Sequence, residues 1–255
     1  GRNDQPFPGE RRVIIPMQKS SKAYVDTPAM KMKEVTDAVL TELDGKVDFI
    51  LTNFLSSDMM KHTGNFAAAK KSNEITDQQL GRIKEKIDAI RAETIKKLKS
   101  KIIDYIRIPE DMLSLSALLD RDYDEFLNIV SGNKDSSPPN KLFYQEIKLL
   151  EQQVPLFVIT ADHGASEEGL KENPKESNNF HTANSVPYII YDPLRRQKIP
   201  LKEDKTIRNN AATLLQLLGE EIPQEYDESL LPADYHGSKR RIAFAVLDGW
   251  GINPD

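Results

Sequence analysis

Five short apolar runs punctuate the chain, at 13–15, 47–54, 156–160, 186–191 and 242–247. Each is rich in Val, Ile or Phe and nearly continuous. That pattern predicts buried strands covered on both faces. Helical spacing fills most of the intervals. In 30–43, Val35, Val39 and Leu43 recur at the helical period. Stretches 65–83 and 207–218 follow the same pattern. Strands alternating with helices predict an α/β sheet with helices on both sides.

The interval 84–153 breaks the alternation, with no convincing central strand. Ile83, Ile87, Ile90, Leu98, Ile102 and Ile106 fall near a 3.6 period amid Lys, Glu and Arg, which predicts a long amphipathic helix. A second helix is expected over 113–130, a loop over 131–140 at Ser136-Ser137-Pro138-Pro139, and a third helix over 142–150. No clean heptad persists, so a helical excursion packed on itself or on the sheet is favoured over a partner-binding coiled coil.

Composition narrows the chemistry. The 255 residues include no Cys, which excludes disulfides, thiolate zinc sites, Fe–S clusters and a Cys nucleophile. A metal would need oxygen and imidazole ligands, and the His are His62, His163, His181 and His236. A net charge of -5 argues against general nucleic-acid binding. No apolar run reaches the roughly 18–20 residues of a membrane span, and the first residues lack a signal-peptide pattern, so a cytoplasmic protein is expected.

Four motifs stand at predicted strand ends. Thr160-Ala161-Asp162-His163-Gly164 follows one apolar run, where ligands of open α/β sheets collect. Asp58 and His62 follow another and are four apart, so a helical turn puts them on one face. His181-Thr182 precedes the run at 186–191, and Asp248-Gly249-Trp250-Gly251 follows the last run. Mixed carboxylate and imidazole donors suit Mn, Zn or Fe. Trp250 reads as packing and His236, in a polar stretch, as structural.

As a set these motifs resemble cofactor-independent (2,3-bisphosphoglycerate-independent) phosphoglycerate mutase, of the alkaline phosphatase superfamily. Pro6-Phe7-Pro8-Gly9-Glu10-Arg11, Asp58 with His62-Thr63-Gly64-Asn65, Thr160 to Gly164, and His181-Thr182 with Val186-Pro187 occur in family order. Asp248-Gly249-Trp250-Gly251 is similar to the family's opening motif. The resemblance implies a three-layer α/β/α sandwich of the alkaline phosphatase type, here with a helical insertion. It implies two divalent ions, Mn²⁺ first, with Zn²⁺, Co²⁺ or Mg²⁺ fitting the same donors. Asp58, His62 and His181 would hold one ion; Asp162, His163 and Asp248 the other. Lys19 matches a Lys that contacts substrate phosphate, with Lys22 as the alternative alignment. The implied activity is interconversion of 3-phosphoglycerate and 2-phosphoglycerate through a phosphoserine, in glycolysis and gluconeogenesis, by a monomer. Alternatives are another phosphotransferase or phosphatase of the superfamily, or a metal-binding pseudoenzyme acting as an interaction module.

The chain departs from the family in three ways. The family's Gly-Asn-Ser-Glu-Val-Gly-His type nucleophile motif is missing from the sequence, and Ser56 and Ser57 occupy positions the family does not use. No counterpart of the transferase domain is present. The order is permuted, with segment 233–255 corresponding to the family's first strand. The expected division is a metal-binding α/β domain over 1–83 and 154–255 and an insertion over 84–153. A partial or rearranged representation of a longer enzyme is therefore expected, and this chain alone should be inactive.

Overall fold

The computed structural model describes residues 5–17, 24–105, 109–132, 138–168, 180–195, 198–235 and 239–253. Lys19, Lys22, His236 and the centre of the expected loop at 131–140 lie outside them. Helix α1 (Met32–Asp44) leads to strand β1 (Phe49–Phe54) and then to the short helix α2 (Ser56–His62). Helices α3 (Phe66–Tyr105), α4 (Pro109–Arg121), α5 (Tyr123–Gly132) and α6 (Pro138–Glu151) come next. Strands β2 (Leu156–Ala161) and β3 (Tyr188–Tyr191), helix α7 (Asn210–Leu218) and strand β4 (Ile242–Leu247) complete the order.

The described strands form one mixed sheet in the order β1-β4-β2-β3. Strands β1 and β2 both run parallel to β4, and β3 is antiparallel to β2. The register is the feature that matters for function. Leu247 pairs with Phe54 on one side and with Ala161 on the other, so three strands end level. Whatever follows them emerges at one edge of the sheet.

Period-2 alternation sorts the two faces. Ile50, Phe54, Phe157, Ala161, Ala243, Ala245 and Leu247 point to one side and pack with Met32, Val39 and Leu43 of α1 and Leu80, Ile83 and Ile87 of α3. Leu156, Val158, Ile242 and Phe244 point to the other, against Leu214 and Leu217 of α7. This makes three layers, but the second helical layer is narrow. Phe49 and Leu51 of β1 share its face and stay 38% and 62% exposed. Here the expectation of strands buried on both faces holds for β2 and β4 and not for β1.

Two other expectations are corrected. The run at 13–15 has no regular structure, and Val13 and Ile14 are exposed. Three residues stopped by Pro16, which has no N–H, give too few ladder bonds to hold a strand. The helix expected over 113–130 is two helices, α4 and α5. Asp122 separates them and its Oδ1 accepts the Glu125 N–H at 3.0 Å, an N-cap that starts a new helix.

Helix α3 is a single element of 40 residues, so it is about 60 Å long, and the expected boundary at residue 84 falls inside it. Its first half packs on the sheet. Its second half supplies Ile95 and Leu98 to a separate cluster with Leu118, Leu119, Tyr123, Phe126, Phe143 and Ile147. Length alone explains the division, because a strand of six residues spans only about 20 Å. Strand β4 is anchored at its start by two arginines. Arg240 Nε donates to the Val154 carbonyl at 2.9 Å and its Nη1 to Asp192 Oδ2 at 2.6 Å. Arg241 donates to the carbonyls of Val47, Leu43 and Glu42, closing the C-terminal end of α1. Among the described residues no helix is long and apolar enough to cross a membrane.

Candidate metal centre

The level strand ends bring four chain segments together. Only Leu55 separates β1 from helix α2, which is seven residues long. That is enough to place Asp58 and His62 on the same face, and His62 Nε2 lies 3.2 Å from Asp58 Oδ2. His181 comes from the segment before β3, held to the loop after β2 by a bridge between Gly164 and Thr182. Its Nε2 lies 3.3 Å from Asp58 Oδ1 and 3.1 Å from His62 Nε2.

These separations test whether an ion fits. Two ligands each about 2.1 Å from a common ion lie about 3.0 Å apart at a right angle and about 3.4 Å apart at a tetrahedral angle. The three observed spacings fall in that interval. Two neutral imidazoles turning the same nitrogen toward each other cannot both carry a proton there, so at least one presents a lone pair that an ion can take. Asp58 Oδ1 is buried with no hydrogen-bond partner. A buried carboxylate oxygen in that condition is costly unless a cation compensates it. The donor set therefore fits a divalent ion.

A second group lies beside the first. His163 Nε2 is 3.5 Å from Asp248 Oδ1 and 3.7 Å from Asp162 Oδ2. Its Nδ1 is 3.2 Å from the Gly164 carbonyl oxygen. That oxygen only accepts, so in the neutral ring the proton sits on Nδ1 and Nε2 keeps its lone pair. The His163 and His181 rings stack with centroids 3.8 Å apart. Burial raises the Asp248 pKa, and the neighbouring Asp162 and Asp58 carboxylates push it further up. An ion would reverse that logic.

The six residues expected as ligands all stand at this edge, but their grouping differs from the expected one. Asp58, His62 and His181 have ligand atoms within 4.8 Å of one another, and so do Asp58, His163 and Asp248. Asp58 belongs to both groups. Asp162 instead spends its Oδ1 on the backbone N–H groups of His163 and Gly249, at 2.9 and 3.3 Å. Ser56 and Ser57 are buried, and Ser57 Oγ accepts from Trp250 Nε1 at 2.8 Å. The indole therefore does more than pack.

Two residues at this edge escaped the sequence reading. Lys61 is fully buried and donates from Nζ to the Glu168 carbonyl. Burial lowers its pKa, while Glu167, Glu168 and Asp58 oppose the shift. Glu167 itself bonds to several loops at once. Its only sequence signal is its place four residues after His163.

The family model described as the metalloenzyme superfamily matches residues 1–95 and 145–222. The chain belongs to the metalloenzyme superfamily. The stretch that its model leaves between 95 and 145 holds the end of α3, α4, α5 and the start of α6. Among curated metalloenzyme relatives, the 2,3-bisphosphoglycerate-independent phosphoglycerate mutase of Moorella thermoacetica is 31% identical over 222 residues, 87% of this chain and 30% of that protein. The enzyme of the same name from Sulfurimonas denitrificans is 29% identical over 228 residues, 89% of this chain and 32% of that protein. This chain thus spans about a third of the length of the curated relatives it matches. A crystal structure of Leishmania mexicana phosphoglycerate mutase at low cobalt concentration superposes with a TM-score of 0.54. It is 19% identical, covering 86% of this chain and 31% of that one, and it shows the fold: a mixed α/β sheet with helices, of the alkaline phosphatase type.

Proposed function

We propose that this chain forms the metal-binding, phosphatase-type part of a phosphoglycerate mutase that interconverts 3-phosphoglycerate and 2-phosphoglycerate through a phosphoserine. The observation that carries the reading is Asp58, whose buried, unpartnered Oδ1 lies 3.3 Å from His181 Nε2 while its Oδ2 lies 3.2 Å from His62 Nε2, both at ion-binding separations. The relatives' names supply the substrate class. Residues 1–83 and 154–255 are assigned to the metal-binding α/β part and 84–153 to a helical insertion. The protein is assigned to the cytoplasm as a monomer, within glycolysis and gluconeogenesis.

In this reading His62, His181 and Asp58 hold one divalent ion, with Mn²⁺ preferred. His163, Asp248 and Asp162 serve the other, and Asp58 lies within reach of both. Bound ions would lower the pKa of a hydroxyl nucleophile and neutralise charge on a phosphoryl group in transfer. The chain's own residues prepare that chemistry. In the neutral ring the Nδ1 proton of His163 goes to the Gly164 carbonyl, which leaves the Nε2 lone pair for ligation. Asp162 ties the turn after β2, which carries His163, to the turn after β4 at Gly249. Lys19 is assigned to substrate phosphate.

Neither Ser56 nor Ser57 is placed to act as nucleophile, since both are buried and Ser57 is bonded to Trp250. The isolated 255-residue chain is therefore expected to bind two Mn²⁺ without isomerising phosphoglycerate. Metal analysis after equilibrium dialysis, with a coupled assay on 3-phosphoglycerate, tests both halves. Robust turnover would overturn the assignment of the serines, and no retained metal would overturn the centre itself.

A further inference from the structure

We infer that Glu167 is the positioning residue of the metal centre, a carboxylate that ties the loops bearing His163, His181 and Asp248 into one body. The inference rests on the metal-centre reading above. Glu167 lies in the loop after β2, four residues beyond His163. Its Oε2 accepts the N–H of Ala165 at 2.7 Å and that of Gly251 at 3.0 Å. Gly251 is in the loop after β4, three residues beyond Asp248. Its Oε1 accepts from the Thr182 hydroxyl, next to His181, and from Asn184 Nδ2 at 3.1 Å. Four donors from three loops converge on one side chain.

The chain is shaped around this carboxylate. A Cβ at Gly251 would overlap Glu167 Cδ, and one at Gly164 would overlap Thr182 Oγ1 and lie 2.6 Å from Glu167 Oε1. Glycine at both positions allows the close approach. Burial works against the ionised form, but the Thr182, Ala165 and Gly251 bonds outweigh it and hold the carboxyl below its ordinary range. The carboxylate is a good acceptor for all four donors because each of its oxygens can take two. Glu167 makes none of the closest contacts among the ligand atoms. Its effect is transmitted through the loops. Residues that orient metal ligands typically change affinity about 10–100-fold when removed.

The test is a Co²⁺ titration followed by its visible absorption, together with amide hydrogen exchange, on wild type, Glu167→Ala and Glu167→Gln. Alanine is expected to weaken Co²⁺ about 10–100-fold and to speed exchange at Ala165 and Gly251. Glutamine keeps the shape and one acceptor oxygen, so it should recover part of the affinity and the wild-type band positions. If alanine at this position does not fold, Glu167→Gln and Thr182→Val carry the test, each with several-fold weaker Co²⁺ binding. Wild-type affinity and spectrum in all variants would overturn the inference and leave the metal centre standing. A wild-type protein that takes up no Co²⁺ would overturn the centre and this inference together.

Discussion

Asp58→Asn should make the metal-free protein more stable and the metal-loaded protein less stable than wild type. Asp58 and Asp248 have ligand oxygens within 4.8 Å, and their side chains are only 13% and 17% exposed. Two like charges at that distance repel by about 3.5 kcal/mol at an effective dielectric of about 20. The amide removes that repulsion. It also weakens one imidazole–carboxylate bond worth about 1.5 kcal/mol. The net gain without metal is about 2 kcal/mol, or about 4–8 °C in unfolding temperature for a chain of this size. At a Mn²⁺ concentration about 1,000-fold above Kd, wild type gains about 4.1 kcal/mol from the first ion alone. An amide shared by both ligand groups forfeits most of that gain. The order should therefore reverse, with wild type about 4–8 °C ahead. Thermal unfolding at pH 8 in EDTA and in excess Mn²⁺ measures both values. A variant less stable than wild type in EDTA, or one with an undiminished Mn²⁺ response, refutes the reasoning.

Three further outcomes are expected. Ligation needs neutral imidazole, and imidazole ordinarily protonates near pH 6.5, so protons displace the ion as pH falls. The Mn²⁺-induced rise in unfolding temperature should be present at pH 8 and lost at pH 5; an equal rise at both would exclude histidine ligands. Arg240→Met removes the close cation from Asp192, whose side chain is 9% exposed and is left with the Leu194 N–H at 2.9 Å and Arg195 at 3.8 Å, and should cost about 3–5 kcal/mol in urea unfolding at constant slope. A loss below about 1 kcal/mol would show that Arg240 is not the anchor. Phe126→Ala, at a fully buried ring of the second cluster, should cost about 3–5 kcal/mol yet leave Mn²⁺ affinity unchanged. Weakened Mn²⁺ binding in that variant would mean the helical cluster supports the centre.

The strands and the ligands were legible for different reasons. Runs of Val, Ile, Phe and Ala announce β2 and β4 because both faces of a central strand are covered, so no polar alternation interrupts them. The same pattern overstated β1, whose Phe49 and Leu51 face outward beyond the reach of α7. Asp58 and His62 could be paired from spacing alone, since a helical turn guarantees their common face. The split between α4 and α5 was also available, because Asp122 and Glu125 stand at capping-box spacing. Periodicity over the longer window masked it.

What the sequence determined by itself is the local chemistry. It specified an α/β alternation, a Cys-free donor set, and carboxylates and imidazoles next to strand ends. Tertiary structure alone decided which donors meet. His181 is 119 residues from His62, and Asp162 is 87 residues from Gly249. No periodicity reaches across such intervals. The level register of β1, β4 and β2 turned separate motifs into one site, placed Asp58 between the two groups, and turned Asp162 toward the backbone. Glu167 shows the same limit. A glutamate in a polar loop is unremarked in one dimension and becomes a junction only when three loops close around it.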